Sequence, residues 1–171
     1  MVTAMAHASE QDLFDRLAAL SIETTTHRHP AVFTVEESRL LRGRLPGAHC
    51  KSLFLKDKKD QLWLLVALED RDVDLKIVQK NIGAARLSFG KPELLAEVLG
   101  VVPGSVTPFA LINDTGQRVR VVLDKEMLDQ ELLNYHPLTN EATTAITAQD
   151  LVRFIRSCGH DPLILDFSDL I

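Results

Sequence analysis

The chain has 171 residues, 46% hydrophobic and 25% charged, with a net charge of −5. That length suits one domain with its own core, and the acidic balance argues against a broad electrostatic grip on nucleic acid while leaving contacts to a few phosphates open. The two cysteines, Cys50 and Cys158, form neither a disulfide framework nor a zinc motif, and no apolar run approaches the ~20 residues that cross a bilayer.

Met1–Ser9 has no basic region and no long apolar stretch, so it does not read as a signal peptide, and a reducing cytoplasm is the expected compartment. Residues 1–8 read as a flexible N-terminus and 9–171 as a single domain. Ser9 with Asp12 forms a capping-box pattern, and Leu13, Phe14, Leu17 and Leu20 give the first helix its apolar face. The polar, Thr-rich segment Glu23–His29 reads as a strand stopped by Pro30. His27 and His29 share a strand face, which would suit a metal pair. The absence of an obvious third ligand favours two partly exposed histidines instead.

Thr34 and Glu37 form a second capping box, followed by a loop at Arg42–Gly47. Arg39, Arg42 and Arg44 lie within six residues, as a phosphate contact or a solvated helix end. The next two apolar runs, Leu53-Phe54-Leu55 and Leu62–Leu68, are split by Asp57-Lys58-Lys59-Asp60 and read as a β-hairpin. Lys51 stands at the entrance of the first run, where a cation is costly unless it is solvated or employed. Asp74–Val78 opens a short helix that stops at Gly83. Arg86–Phe89 is short but suits a strand, and a helix runs from Pro92 to Leu99 with Gly100 as its stop.

Gly100–Pro108 holds two glycines and two prolines, a stiff non-helical loop able to present fixed N–H and C=O groups to a ligand, or an ordinary connector. Phe109–Ile112 and Arg118–Leu123 flank Asn113-Asp114-Thr115-Gly116 and read as a second hairpin. Lys125–Leu128 is a helical turn, and Leu132–Leu138 is extended, with His136 before Pro137. Thr143–Thr147 is a strand, Thr147 and Asp150 cap a last helix with Leu151, Phe154 and Ile155 inward, Gly159 ends it, and Leu163–Phe167 closes the chain as a strand. The pattern lacks regular βαβα alternation and predicts an α+β fold. Its sheet is expected to be mixed and mostly antiparallel, curved or partly closed into a barrel, with helices around it.

No G-x-S-x-G elbow, P-loop or G-x-G-x-x-G is present. Cys50 beside Lys51 could be an activated thiol, but a buried structural cysteine is favoured, because strand alternation sends neighbouring side chains to opposite faces. His136 could serve as a general base or as a structural histidine.

Five separated stretches, His29–Glu37, Cys50–Asp57, Arg86–Phe89, Gly100–Phe109 and Tyr135–Asn140, together resemble the YbaK/prolyl-tRNA editing family, and within it the free-standing ProX (ProXp-ala, PrdX) branch. The resemblance implies that family's editing-domain fold and hydrolysis of alanine mischarged onto tRNA(Pro). It implies catalytic positions at Lys51, Gly104 and His136, and substrate contacts from Phe33, Ser52, Ser105, Val106, Thr107 and Pro108. Ser52 departs from the asparagine that many members carry. In this family the terminal ribose 2′-OH assists hydrolysis of its own ester, so no protein nucleophile, metal or cofactor is implied. The implied partners are the tRNA(Pro) acceptor end charged with alanine and, for selection, prolyl-tRNA synthetase. No membrane is implied, and monomer is the default state. Lys56, Lys58 and Lys59 join the three arginines as candidate phosphate contacts or solvated surface. Deacylation of cysteinyl-tRNA(Pro) is the rival reaction, and a catalytically idle binding module is the rival class.

Overall fold

The computed structural model describes residues 7–31, 40 and 45–170. The Thr34–Glu37 capping box, Phe33 and the three arginines Arg39, Arg42 and Arg44 lie outside the described residues.

Strand β2 (Ala48–Asp57) is the axis of an eight-stranded sheet. Along one edge it pairs antiparallel with β3 (Leu62–Leu68), from Cys50↔Leu68 to Lys56↔Leu62. The expected hairpin is therefore present, with Asp60 taking a positive φ of 64° in its turn. Its other edge carries two partners in succession. β6 (Leu132–Tyr135) runs parallel beside Ala48 and His49, and β4 (Leu87–Phe89) runs antiparallel beside Leu55–Asp57. Beyond β3 lie β5 (Val119–Asp124) and β8 (Leu163–Leu165), both parallel; beyond β6 lie β7 (Ala142–Thr147) and β1 (Thr25–Arg28), both antiparallel. The sheet is mixed, and its order runs from β1 to β8 as two separate ends, so it is open rather than a closed barrel.

Helices cover both faces. On one lie α1 (Glu10–Ala19), α3 (Pro92–Leu99) and α5 (Ala148–Ser157), whose Leu13, Leu17, Leu99, Leu151 and Phe154 join Phe54, Leu64 and Val66 of the sheet in the larger core. On the other, Val78 and Ile82 of α2 (Leu75–Ile82) pack with Leu55, Trp63, Leu65 and Val122. β3 is apolar along its whole length because it is sandwiched between these two cores.

The helix boundaries are set by local chemistry. Ser9 and Asp12 form the reciprocal box at α1, Asp74 caps α2, Pro92 opens α3, and the Thr147 hydroxyl accepts the Asp150 N–H at α5. Gly83 and Gly100 end α2 and α3 in the left-handed conformation. A four-residue helix, α4 (Lys125–Leu128), follows β5.

Two expected elements differ. The closing strand stops at Leu165, with Phe167–Asp169 turning as a 3₁₀ helix. Pro108–Asn113 is a 3₁₀ helix, not the first strand of a second hairpin. Pro108 lacks an N–H for a ladder, and the Thr107 hydroxyl accepts the Phe109 N–H at 3.3 Å, which starts a helical turn. The following turn is held by Asp114, whose carboxylate accepts the N–H groups of Arg118 (3.0 Å) and Val119 (2.9 Å) and meets His160 Nε2 at 2.8 Å. β5 is thereby released to pair with β3 and β8.

Candidate active site

The two partners on the outer edge of β2 diverge, and Lys51 and Ser52 lie where they part. β6 ends at Tyr135 and leaves through His136-Pro137, while β4 ends at Phe89 and leaves through Gly90. Gly90 donates its N–H to Phe54 C=O at 2.9 Å, and a Cβ there would run into the Phe54 ring, so this exit requires glycine. Between them, the edge of β2 from Cys50 to Leu53 has no strand ladder beside it among the described residues. A crevice at a sheet edge where neighbouring strands part is a common place for a ligand site.

Register and alternation place the candidate side chains around this crevice. The parallel β2–β6 pairing, Ala48↔Leu133 and His49↔Asn134, stops just before Lys51 on one strand and His136 on the other. Cys50, Phe54 and Tyr135 belong to the larger core, while Leu53 and Leu55 belong to the smaller one. Lys51 therefore faces the side of the smaller core, and Ser52 faces the opposite side with Cys50. Ser52 is thus separated from Lys51 by a sheet face.

The glycine–proline loop reaches the same end of the sheet. Gly104 has φ +92°, and the nearest group to a Cβ there is the Asn140 amide at 4.0 Å. The loop is fastened by burial of Ser105, Thr107 and Pro108 and by the Ser105 N–H to Val102 C=O bond, while Val106 is half-buried. Phe109 behind it makes edge contacts with Tyr135 (centroids 5.9 Å apart) and Phe154 (5.5 Å). The residue before His136 thus packs on the residue after Pro108, which ties the two candidate loops to one aromatic cluster.

The electrostatics assign protonation. His136 Nδ1 lies 3.0 Å from the carbonyl of Ala142. A carbonyl only accepts, so Nδ1 carries the proton and Nε2 presents a lone pair. Burial lowers the His136 pKa; the nearby His29 adds to this, and together they outweigh the raising effects of the Ala142 carbonyl and Glu69. The imidazole is neutral at physiological pH. His29 is oriented the same way, with Nδ1 donating to Pro30 C=O at 2.8 Å and Nε2 accepting from the Thr143 hydroxyl at 2.9 Å. It supports the His136 environment, and no group of three or more potential ligands gathers around it among the described residues.

Lys51 Nζ donates to the carbonyl of Arg71. Burial drives the Cys50 thiol up to about 12, against weaker opposing hydrogen bonds from Tyr135 and the Asn134 backbone, which leaves it un-ionised and a poor nucleophile. The sequence did not single out Arg71 or Asn140, and it read His29 only as one of a histidine pair and as the start of the His29–Glu37 stretch. Each makes its contact with a segment distant in the chain, and the positions of His29 and Asn140 inside the His29–Glu37 and Tyr135–Asn140 stretches gave the signal there was.

The sequence profile of the aminoacyl-tRNA editing domain matches residues 29–154. A Bos taurus relative, prolyl-tRNA synthetase associated domain-containing protein 1, is 43% identical over 91% of this chain and 93% of its own length. The prolyl-tRNA editing protein ProX of Acetoanaerobium sticklandii is 33% identical over 89% of this chain and 93% of its own. A solved structure of a candidate trans-editing enzyme for prolyl tRNA synthetase superposes with a TM-score of 0.68 at 19% identity, covering 94% of this chain and 98% of that one, a likeness of fold. With the profile spanning the crevice, its loops and the strands around it, the chain belongs to the aminoacyl-tRNA editing domain family.

Proposed function

We propose that this protein is a trans-editing deacylase that hydrolyses the ester of alanine mischarged onto tRNA(Pro). The reading rests on the match of residues 29–154 to the editing-domain family, supported by Lys51 on the stretch of β2 without a strand ladder among the described residues and by a neutral His136 just beyond β6. The names of its relatives, a ProX editing protein and a prolyl-tRNA synthetase associated protein, support the choice of tRNA.

The need for such an enzyme follows from size discrimination. Alanine is smaller than proline, and a synthetase pocket built for proline rejects it by only ~1–3 kcal/mol per missing methylene-sized contact. A second pocket that admits small side chains and excludes proline removes the error. In the reaction, water adds to the ester carbonyl carbon, the bond from that carbon to ribose O3′ breaks, and O3′ takes the proton. The products are alanine and tRNA with a free 3′-OH. The ribose 2′-OH adjoins the reacting ester and assists in moving the proton. Lys51 holds the terminal phosphate or ribose oxygens, and the GSVTP backbone orients the aminoacyl carbonyl and amine. The Nε2 lone pair of His136 positions the 2′-OH or the water. Phe33 adds a substrate contact, while Ser52, on the other face of β2 from Lys51, is left out of the pocket. These are gains from positioning and preorganised charge, without a covalent intermediate.

The test is a side-by-side assay of tRNA(Pro) charged with alanine, cysteine or proline, repeated with a terminal 2′-deoxyadenosine. Release of alanine, sparing of proline and arrest by the 2′-deoxy substitution are expected. Preferred release of cysteine establishes the rival specificity, and binding without release establishes an idle module. Rapid hydrolysis of the 2′-deoxy substrate requires a base or nucleophile from the protein. The net charge of −5 predicts weak affinity for tRNA alone, so addition of prolyl-tRNA synthetase is expected to raise efficiency.

A further inference from the structure

We infer that Arg71 is a positioning residue for Lys51, and that the C-terminal segment, through Phe167, holds it in place; this rests on the reading of Lys51 as part of the editing site. A lysine side chain carries about 2 kcal/mol of rotamer entropy, and an ammonium that must meet a substrate oxygen is more effective when that freedom is already lost. Lys51 Nζ is fixed by a backbone carbonyl, that of Arg71, in the loop between β3 and α2. A loop carbonyl is a good reference point only if the loop is rigid. The Arg71 side chain supplies that rigidity.

Its guanidinium is held from three sides. Nε donates to Asp124 Oδ2 at 3.3 Å, the terminal NH2 pairs with Glu126, and Cζ lies 4.8 Å from the centre of the Phe167 ring. Asp124 is itself fully buried and spends its remaining capacity on the same junction, accepting the N–H of Leu68 at 3.2 Å and that of Glu126 at 3.1 Å. The Arg71 N–H closes a turn onto Leu68 C=O at 3.0 Å. One buried carboxylate thus joins the end of β3, the start of α4 and the loop whose carbonyl receives Lys51. Burial works against the guanidinium charge, but Asp124 and Glu126 outweigh it and keep the side chain ionised. The three contacts suit arginine in particular. Lysine could pair with Asp124 but lacks the planar fork that also reaches Glu126 while stacking on Phe167.

The experiment follows the Lys51 ammonium directly by lysine-selective ¹H–¹⁵N NMR, with its signal assigned from its loss in Lys51→Ala. A distinct, slowly exchanging signal is expected in the unmodified protein, broadened beyond detection in Arg71→Ala and weakened in Phe167→Ala. Phe167→Ala and Arg71→Lys leave Asp124 less exposed to an unpaired state, so they decide the question if Arg71→Ala fails to fold. In steady-state deacylation, Arg71→Ala should lower kcat about tenfold with KM within about twofold, and Arg71→Lys should fall between. Lys51→Ala/Arg71→Ala should be no slower than Lys51→Ala alone. An unchanged Lys51 signal in the folded Arg71 and Phe167 variants, or losses that multiply in the double variant, would overturn the inference. If Lys51→Ala deacylates normally, the catalytic reading of Lys51 fails, while the NMR result still decides whether Arg71 orders it.

Discussion

The two ends of the β2–β3 hairpin are made of similar polar residues and finished differently. At the turn, Asp57 is buried and accepts from Lys59 N–H (2.8 Å), Gln61 N–H (3.1 Å), Trp63 Nε1 (3.2 Å) and Ala85 N–H (3.3 Å). Burial works against the carboxylate, yet these donors outweigh it and hold its pKa below the usual range. Its acceptor capacity is committed to joining the turn to the segment before β4. At the other end, Lys51 is half-buried beside a strand edge with no ladder among the described residues and is steadied by one backbone carbonyl. An ammonium has three donors, so this arrangement orients the charge without using it up. Lys51 and Asp57, six residues apart, therefore have opposite duties under the proposed function, one offered to a ligand and the other closing the structure.

The largest effects should separate these duties. Lys51→Ala should cut deacylation of alanyl-tRNA(Pro) by about 10²–10³-fold, the range for removal of one preorganised electrostatic donor, with little change in thermal stability. Asp57→Ala should do the reverse. It strands several buried donors and should cost about 2–4 kcal/mol in denaturant unfolding, while kcat per folded molecule stays close to normal. Near-normal turnover in the lysine variant, or a catalytic collapse in a well-folded aspartate variant, would erase the distinction.

Of intermediate size is the pH response of His136, the residue just beyond the end of β6. Its folded pKa is lowered, by burial first and then by His29. Between that lowered value and the unfolded value near 6.5, the unfolded chain binds more protons, so stability rises with pH. The contribution is complete above about 6.5 and is lost as pH falls through the folded pKa. Deacylation should follow the neutral imidazole, flat at neutral pH and declining on the acid side with a midpoint below about 6.5. His136→Gln should remove that acid limb from the pH–rate profile. Persistence of the limb would assign it to another group.

The hairpin and the helix ends were legible because their determinants are neighbours in sequence. Ser9 with Asp12, Asp74 with Gly83, Pro92 with Gly100, and Thr147 with Asp150 each settle a boundary within a few residues. Lys51, Gly104 and His136 could be picked out because their surrounding motifs are distinctive. Which segments neighbour one another could not be seen from spacing, since the parallel pairing of β2 with β6 joins segments about 85 residues apart. Arg71 was silent for the same reason. Its carboxylate partner Asp124 is 53 residues away, and the locally visible fact was an arginine in an acidic loop. Phe109–Ile112 misled because an apolar run of four fits a strand or a buried 3₁₀ turn, and Thr107 and Pro108 at its start decided the outcome.

The smallest predicted effect tests whether chemistry at the open end belongs to the amine or to the thiol beside it. With a pKa of about 12, Cys50 is ionised in about one molecule in 10⁴ at pH 8. Its side chain also points away from Lys51 into the larger core. There it behaves as a small apolar group. Cys50→Ala should cost about 1 kcal/mol in stability and leave deacylation within about twofold of normal. In the folded protein Cys50 should react slowly with a thiol-selective reagent, at a rate that rises sharply on unfolding. A loss of activity comparable to that of Lys51→Ala, in a variant that remains folded, would move the chemistry one residue back along β2 and require the thiol to reach the crevice through a rotated strand. The continuous register from Cys50↔Leu68 to Lys56↔Leu62 has no bulge that could supply such a rotation.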